Sequence, residues 1–211
     1  MSRPSRNTDR LLLDAGRKLL PQTGVSGLSL RQIAAQAKVN LGMFHYHFGS
    51  KQKFARQVLQ DLYEEFFRGF SLETHKAAPP EQRLIAALTI LARFVRDNRK
   101  LILALLQDAL NHEPEVIAFA KANAPRHIRI IAGLVRECQK TGALKELPLP
   151  TILPYIAAGV IAPNLGVAFL ERAAAGSAAG IPLALIRPAV ISDQAIAQRI
   201  AAALKGLRRE P

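Results

Sequence analysis

The chain has one cysteine and no tryptophan among its 211 residues, and aromatic residues make up only 6% of it. The lone Cys138 cannot form an intrachain disulfide, which argues against a disulfide-stabilised secreted domain. No block repeats at a fixed spacing, and the 13 glycines and 13 prolines are scattered, so solenoids and collagen-like chains are excluded. Because 49% of the residues are hydrophobic, the chain can bury a core, and we expect a globular cytoplasmic protein.

Acidic residues are scarce relative to basic ones. The 29 Lys and Arg against 16 Asp and Glu give a net charge of +13. Residues 1–60 alone hold ten basic and two acidic side chains, a local charge of +8. Clustered cations displace condensed counterions from nucleic acid, so this segment suits a phosphate-rich partner. Solubility or an anionic membrane surface would account for the same charge, and motifs must decide.

No segment has the features of a signal peptide or an uninterrupted membrane span. The N-terminal residues lack an apolar core. The uncharged run Leu147–Leu170 is long enough to cross a bilayer, but four prolines interrupt it and it contains the polar Asn164. We expect this run to pack against another helix, with no membrane partner. A membrane-associated helical protein is the alternative from a different class.

Residue sets typical of enzymes and metal sites are missing from the sequence. There is no Ser-His-Asp or Cys-His set, Gly-rich phosphate loop or clustered carboxylate pair. His45 and His47 lie about 200° apart around a helix, so they cannot bind one ion from the same face. His75, His112 and His127 are isolated, and we expect surface or satisfied histidines there. We therefore expect neither catalysis, nor a metal, nor a cofactor.

The spacing of apolar residues predicts an all-α fold, because they recur at intervals of three and four rather than alternating. Caps and helix-breaking residues divide this pattern into about nine helices. Residues 175–192, rich in Ala, Gly and Pro, are predicted to form a loose connection. The predicted helices lie at about 8–24, 29–37, 41–48, 51–75, 81–97, 100–110, 115–141, 151–174 and 193–207.

Details at the two ends of the chain add further expectations. Thr8 is expected to cap the first helix, Pro21 to bend it or end it early, and Gly24 to stop it. The last helix carries one apolar stripe that needs a partner surface. That stripe consists of Ile196, Ile200, Ala203 and Leu207.

Two short helices joined by a tight turn predict a helix-turn-helix near the N-terminus. The segment Ser29–Gln32 is a capping box that opens the first of them, and Lys38-Val39 forms the turn. Asn40 is a good cap for the second helix. Phe44 and Phe48 share one face of that helix, so we expect them to pack inward.

The opposite face of the second helix suits a DNA groove. Gly42, Met43 and Tyr46 point away from the phenylalanines, with His45 and His47 beside them. Met43 can touch a thymine methyl group, and the tyrosine and histidines can donate to phosphate oxygens or base edges.

Residues 8–55 resemble the DNA-binding domain of the TetR family. The resemblance rests on Leu28–Ala34 and Val39–Lys51, whose ending, aromatic-His-Phe-Gly-Ser-Lys, is fairly specific. It implies an N-terminal three-helix helix-turn-helix DNA-binding domain in residues 1–50. It also implies a C-terminal helical ligand-binding and dimerisation domain in residues 51–211.

The resemblance implies a role for individual residues. Leu41, Gly42 and Met43 are expected to read bases. Arg31, near the start of the first short helix, is expected to reach a base or a phosphate, and the other residues are expected to hold the sugar-phosphate backbone. Leu41 and Met43 replace the polar residues common in the family, and Lys38 replaces its usual turn glycine, so base readout should rely on apolar contacts and shape. The expected DNA-binding residues are Arg31, Leu41, Gly42, Met43, His45, Tyr46, His47 and Lys51.

The resemblance further implies a small-molecule effector and a homodimer on a palindromic operator. We expect a repressor that a small apolar or amphipathic effector releases from double-stranded DNA. Helices 151–174 and 193–207 are predicted to pair across a two-fold axis as a four-helix bundle. An effector-free DNA-binding or architectural protein is the alternative. Polar residues inside apolar stretches are the candidate effector contacts: Gln107, Asn111, Tyr155 and Asn164.

Overall fold

The computed structural model describes residues 7–173 and 176–209, and these residues confirm the all-α prediction. These described residues form eleven helices and one hairpin, whose two strands have two residues each. Their bounds are α1 Thr8–Thr23, α2 Leu30–Ala37, α3 Leu41–Phe48, α4 Lys51–Thr74, α5 Pro80–Asp97, α6 Arg99–Leu110, α7 Pro114–Lys140, α8 Leu149–Val160, α9 Ala162–Arg172, β1 Ser177–Ala178, β2 Ile181–Pro182, α10 Leu183–Ile191 and α11 Asp193–Leu207.

The described chain divides into two compact units, and each unit is made of two separate stretches of the sequence. The first unit runs to Glu65 and takes in Lys100–Asn123, and the second contains Phe66–Arg99 and the chain from Ala124 onward. Helices α4 and α7 therefore contribute residues to both units. The predicted division at residue 50 is a division by function, and it stays a prediction.

The core of the first unit joins the three N-terminal helices to parts of later ones. Leu12 of α1, Ile33 of α2 and Phe44 of α3 are fully buried. Leu101 of α6 and Val116 of α7 complete the same cluster. Each such side chain contributes about 1.5–3 kcal/mol by leaving water. The helix-turn-helix is therefore built on a core that α6 and α7 help to form.

The core of the second unit is formed where α11 packs on α8 and α5. Leu84 and Ile152 are fully buried there. The stripe of α11 is also buried: Ile196, Ile200, Ala203 and Leu207 are between 1% and 8% exposed. The prediction that this stripe pairs across a two-fold axis is wrong, because helices of the same chain already cover it.

The start of α1 and the segment after Leu147 differ from the sequence prediction. Asn7, not Thr8, is the N-cap of α1, and the helix continues past Pro21 to Thr23 before Gly24 ends it with φ 66°. The single helix predicted at 151–174 is two helices, α8 and α9, bent by 43°. Pro163, in the first turn of α9, explains the break, because it has no N–H to bond the Gly159 carbonyl and its ring would clash with that carbonyl in a continuous helix. Residue 174 lies outside the described residues.

The loose connection predicted at 175–192 is wrong for most of its length. From 176 onward it forms an antiparallel hairpin, in which Ser177 pairs with Pro182, followed by α10. Pro182 is the N-cap of α10, and Pro188 lies inside the helix near its C-terminal end. Proline is tolerated at a helix start, so its abundance here does not argue against a helix.

Two further features concern membranes and thiols. Within residues 7–173 and 176–209, no individual helix combines the length and hydropathy needed to cross a bilayer. The α8–α9 pair meets those criteria only as two segments bent at their junction. Cys138 is fully buried in α7, and burial, with Glu81 and Glu137 nearby, raises the pKa of its thiol to about 11.

Candidate nucleic-acid interface

The turn between α2 and α3 is formed as the sequence predicts. The Ser29 hydroxyl accepts a bond from the Gln32 N–H at 3.5 Å and caps α2. Lys38 ends α2 in the left-handed conformation, with φ 56° and ψ 41°, and its N–H binds the Ala35 carbonyl at 3.1 Å. A residue with a Cβ is strained in this conformation, so the turn keeps a cation where glycine would fit with less strain.

The inner face of α3 is fixed by aromatic packing. The Asn40 side chain accepts from the Gly42 N–H at 2.8 Å and sets where α3 begins. Phe44 is fully buried, and its ring centre lies 5.6 Å from that of Phe48 and 5.0 Å from that of Phe54. These contacts confirm the predicted inward face of α3. They hold α3 against the rest of the helix-turn-helix unit, and helices α1 to α3 are called the head below.

The outer face of α3 is accessible. Tyr46 is 69% exposed, and Gly42 and His45 are exposed as well. Leu41 and Met43 are half-buried, so each keeps part of its apolar side chain at the surface. No residue of α3 is acidic, so nothing on this helix repels phosphate.

The two histidines of α3 are placed differently. His45 is exposed, with its Nδ1 atom 3.4 Å from the Gly49 carbonyl oxygen. The His47 ring lies edge-on to Tyr46, and its Nε2 atom is buried with no hydrogen-bond partner among the described residues. This buried nitrogen cannot reach a phosphate unless the ring turns, so His47 is less accessible to DNA than the exposed His45.

Lys51 has a partner that the sequence did not indicate. Its Nζ atom donates to the Ser26 carbonyl oxygen at 3.0 Å, in the loop between α1 and α2. An ammonium group has three donors, so two remain for an anion near the first turn of α4. Lys51 therefore links that loop to the surface at which phosphate is expected.

Basic side chains outside α3 add to the positive charge of this region. Arg31 on α2, which was predicted from the sequence as a DNA contact, is exposed. Lys38 and Lys53, which were not predicted as DNA contacts, are exposed too. Arg56 is bound by Glu115 through contacts of 2.7–3.1 Å, which reduces its value as a phosphate contact. The basic character of the first 60 residues was the available signal for Lys53.

Comparisons with known proteins show which protein family the region around α2 and α3 is similar to. Residues 12–58, which include α2 and α3, match the family model described as bacterial regulatory proteins, tetR family. The chain therefore carries an N-terminal domain of the TetR family.

Two curated relatives of this chain are described as repressors. It is 36% identical over 74 residues to the HTH-type transcriptional repressor DhaR of Mycobacterium sp. (strain GP1), covering 35% of this chain and 37% of that protein. It is 27% identical over 148 residues to the HTH-type transcriptional repressor NicS of Pseudomonas putida, covering 70% and 61%. The chain thus spans less than two thirds of the length of either relative.

Solved structures share the fold along most of this chain. The ketosteroid transcriptional regulator KstR2 of Mycobacterium tuberculosis has a TM-score of 0.70 at 17% identity, covering 99% of this chain and 98% of that one. A protein from Saccharomonospora viridis in complex with choline has a TM-score of 0.67 at 18% identity, covering 88% and 94%. At these identities the likeness concerns the fold.

The second unit contains an apolar cavity of about 520 Å³. His127 is the one titratable side chain in its wall, and burial lowers the pKa of that imidazole to about 4. The Phe66 ring stands edge-on to it at 5.9 Å. The lining residues come from α5, α7 and α8: Leu88, Leu91, His127, Ile128, Ile131, Pro150, Leu153, Pro154, Ile156, Ala157, Val160 and Ile161.

His127 lies in this wall, although we expected an isolated surface or satisfied histidine there. A signal was available, because His127, Ile131 and Val135 follow at intervals of four on one face of α7. The imidazole therefore belongs to the buried stripe of the helix.

The four predicted effector contacts are not brought together by the structure. Gln107 and Asn111 are exposed in the first unit, whereas Tyr155 and Asn164 are in the second. Tyr155 is 49% exposed. Asn164 is fully buried, donates to the Val160 carbonyl at 2.8 Å, and has an Oδ1 atom without a partner among the described residues. None of the four lines the cavity, and their contact with an effector stays a prediction.

Metal binding has no support in the described ranges. Within residues 7–173 and 176–209, no three His, Cys, Asp or Glu side chains are grouped so that they could hold an ion.

Proposed function

We propose that the protein is a sequence-specific DNA-binding transcriptional regulator, a repressor that a small apolar or amphipathic molecule releases from its operator. Residues 1–50 bind the DNA in this proposal, and residues 51–211 bind the effector and form the homodimer. The observation that carries it is the outer face of α3, which is exposed at Tyr46, lacks acidic residues and lies among exposed cations. The repressor descriptions of DhaR and NicS support repression as the output.

The exposed groups divide the DNA contacts into two kinds. Tyr46 and Lys51 offer hydrogen-bond donors to the phosphates, and these contacts position the head without reading sequence. Leu41 and Met43 expose apolar groups, which discriminate by touching thymine methyl groups and by the shape of the groove. The operator is therefore expected to contain thymines where α3 meets the major groove.

The experiment that tests DNA binding begins with selection of bound duplexes from a random pool, followed by fluorescence anisotropy on the selected sequence. We expect a palindrome, because a two-fold dimer presents two identical heads. Tyr46→Ala with Lys51→Ala should abolish specific binding while helicity and oligomeric state are kept. Lys121→Ala removes an exposed charge on α7 and serves as the matched control, with binding expected to stay near the wild-type value. A double variant that binds as the wild type does would contradict the assignment of α3.

The cavity supports the effector part of the proposal. Its wall is apolar apart from His127, and the low pKa keeps that imidazole uncharged at neutral pH. Charged ligands would lose hydration there without gaining a charged partner, so the effector is expected to be uncharged where it contacts the wall.

A thermal-shift screen with an uncharged apolar library tests this part, since a ligand that binds the folded protein raises its melting temperature. Ala157→Phe places a ring in the cavity and should remove the shift, whereas Ala158→Phe adds the same bulk at an exposed position of α8 and should keep it. Hits must also weaken duplex binding. A library without hits, or hits that leave DNA affinity unchanged, would favour the effector-free DNA-binding alternative.

The homodimer is supported by apolar side chains that one chain leaves exposed. Phe169 on α9 is 62% exposed and Leu185 on α10 is 63% exposed. Helix α10 is apolar apart from Arg187, yet none of its nine residues is buried. Such surface is unusual for a monomer and suits an isologous interface. Light scattering after size exclusion should give twice 23.0 kDa, and Phe169→Arg with Leu185→Arg should give a monomer.

A further inference from the structure

The carboxylate of Asp108 is buried against the loop that precedes the helix-turn-helix. Asp108 lies in the last turn of α6 and is 3% exposed. Its Oδ2 atom accepts from the Val25 N–H at 2.6 Å, and its Oδ1 atom accepts from the Ser26 hydroxyl at 2.5 Å. Both oxygens are therefore used on two consecutive residues of the α1–α2 loop.

Gly24 gives this contact its room. It adopts φ 66°, and a Cβ added to it would lie 2.5 Å from the Asp108 Oδ2 atom. Any side chain at this position would displace the carboxylate, and the positive φ would strain it as well. The loop is thus shaped to bring its backbone directly against Asp108.

The same loop is held from a second side by Lys51. Its Nζ atom binds the Ser26 carbonyl, so Ser26 is fixed through its hydroxyl by α6 and through its carbonyl by α4. Val25 and Leu28 are buried in the head core on either side of it. Ser29, which caps α2, follows directly, so the position of the loop sets where α2 begins.

Burying a carboxylate costs free energy, because the charged group loses its hydration. Hydrogen bonds to the carboxylate compensate for that loss only when their geometry is fixed, so the burial of Asp108 is not explained by stability alone. Charge-assisted bonds are shorter and more directional than neutral ones, which suits a group that sets a position. The Asp108 carbonyl also accepts from the Glu113 N–H at 2.9 Å, which ties the end of α6 to the turn before α7.

We infer that Asp108 is a positioning residue for DNA binding, which fixes the α1–α2 loop and through it the seat of α2 and α3. This inference rests on the proposed function, because it assigns the residue a part in presenting α3 to DNA. Loss of the carboxylate frees the loop without removing any DNA contact, so the head must be ordered again each time it binds.

The variants separate positioning from stability. Asp108→Ala removes both bonds and should weaken operator binding at least tenfold, because the loop loses two bonds to a charged group. Asp108→Asn should rescue binding to within about threefold, since its oxygen accepts from Val25 and its amide donates to the Ser26 hydroxyl. Val116→Ala, which shortens another buried side chain of the same core, controls for lost stability and should leave affinity near the wild-type value.

Two measurements on the full chain decide the matter. Duplex affinity is taken by anisotropy well below the melting temperature and corrected for the active fraction. Amide hydrogen exchange of residues 25–33 is measured without DNA. We expect Asp108→Ala to accelerate exchange in the loop and the first turn of α2, and Val116→Ala not to do so.

The outcomes are distinguishable. Wild-type protein that binds no duplex would overturn the proposed function, whereas unchanged loop exchange in Asp108→Ala would overturn the positioning role by itself. Faster exchange with unchanged affinity would show that the loop does not control α3, and it too would overturn the inference. Ser26→Ala added to Asp108→Ala should cause no further loss, because the two groups share one bond.

Discussion

The half-buried imidazole of His127 is expected to make the stability of the second unit depend on pH. Burial lowers its pKa from 6.5 to about 4, so the folded state holds it neutral through a range in which the unfolded chain protonates it. The unfolded state binds more protons below pH 6.5, and the stability present above that pH is lost as the pH falls toward 4. With one pKa unit equal to about 1.36 kcal/mol, the loss is about 1.4 kcal/mol at pH 5.5 and about 2.5 kcal/mol at pH 4.5.

The test measures the free energy of unfolding by urea between pH 7.5 and 4.5 for the wild type and for His127→Phe, which keeps an aromatic ring without the proton site. The difference between the two should change in favour of the variant by about 2.5 kcal/mol across this range. Ile128→Val alters the same cavity wall without a titrating group and should follow the wild-type curve. A wild-type-minus-His127→Phe difference that is flat with pH would refute the reasoning.

Two substitutions test packing and charge elsewhere. Gly16→Ala should destabilise by about 1–2 kcal/mol despite its better helix propensity, because the new Cβ would lie 2.6 Å from the buried ring of Phe54; Gly69→Ala meets nothing within 4 Å and should stabilise by about 0.5–1 kcal/mol. Equal signs in urea unfolding would contradict this. Glu171→Ala leaves two arginines facing each other and should cost about 2 kcal/mol, whereas the half-exposed Arg187→Ala should cost under about 1 kcal/mol in the same assay.

The helix-turn-helix could be predicted because short-range groups determine it. Ser29 and Asn40 cap helices through atoms two or three residues away, and the inward face of α3 follows from the spacing of Phe44 and Phe48. Such contacts join residues that are close together in the sequence, so they can be predicted without knowledge of the tertiary structure.

Long-range contacts could not be predicted in this way. The partners of Asp108 are more than 80 residues away in the sequence, and the cavity draws its wall from three separate helices. Asn164 was expected to need a partner and has one for its amide, but only packing decides that it lies outside the cavity wall. Proline was misread twice after residue 150, at Pro163, where it starts a helix, and at Pro188, where a helix tolerates it.

The burial of Cys138 has a practical consequence for site-specific labelling. With a pKa of about 11, almost none of this thiol is the reactive thiolate at neutral pH, and its side chain is closed to reagents. A cysteine introduced at the exposed Gln36 of α2 would therefore react alone with maleimide dyes or spin labels. The chain thus already provides the background for testing whether the proposed dimer changes the distance between its two labelled α2 helices when the proposed effector is added.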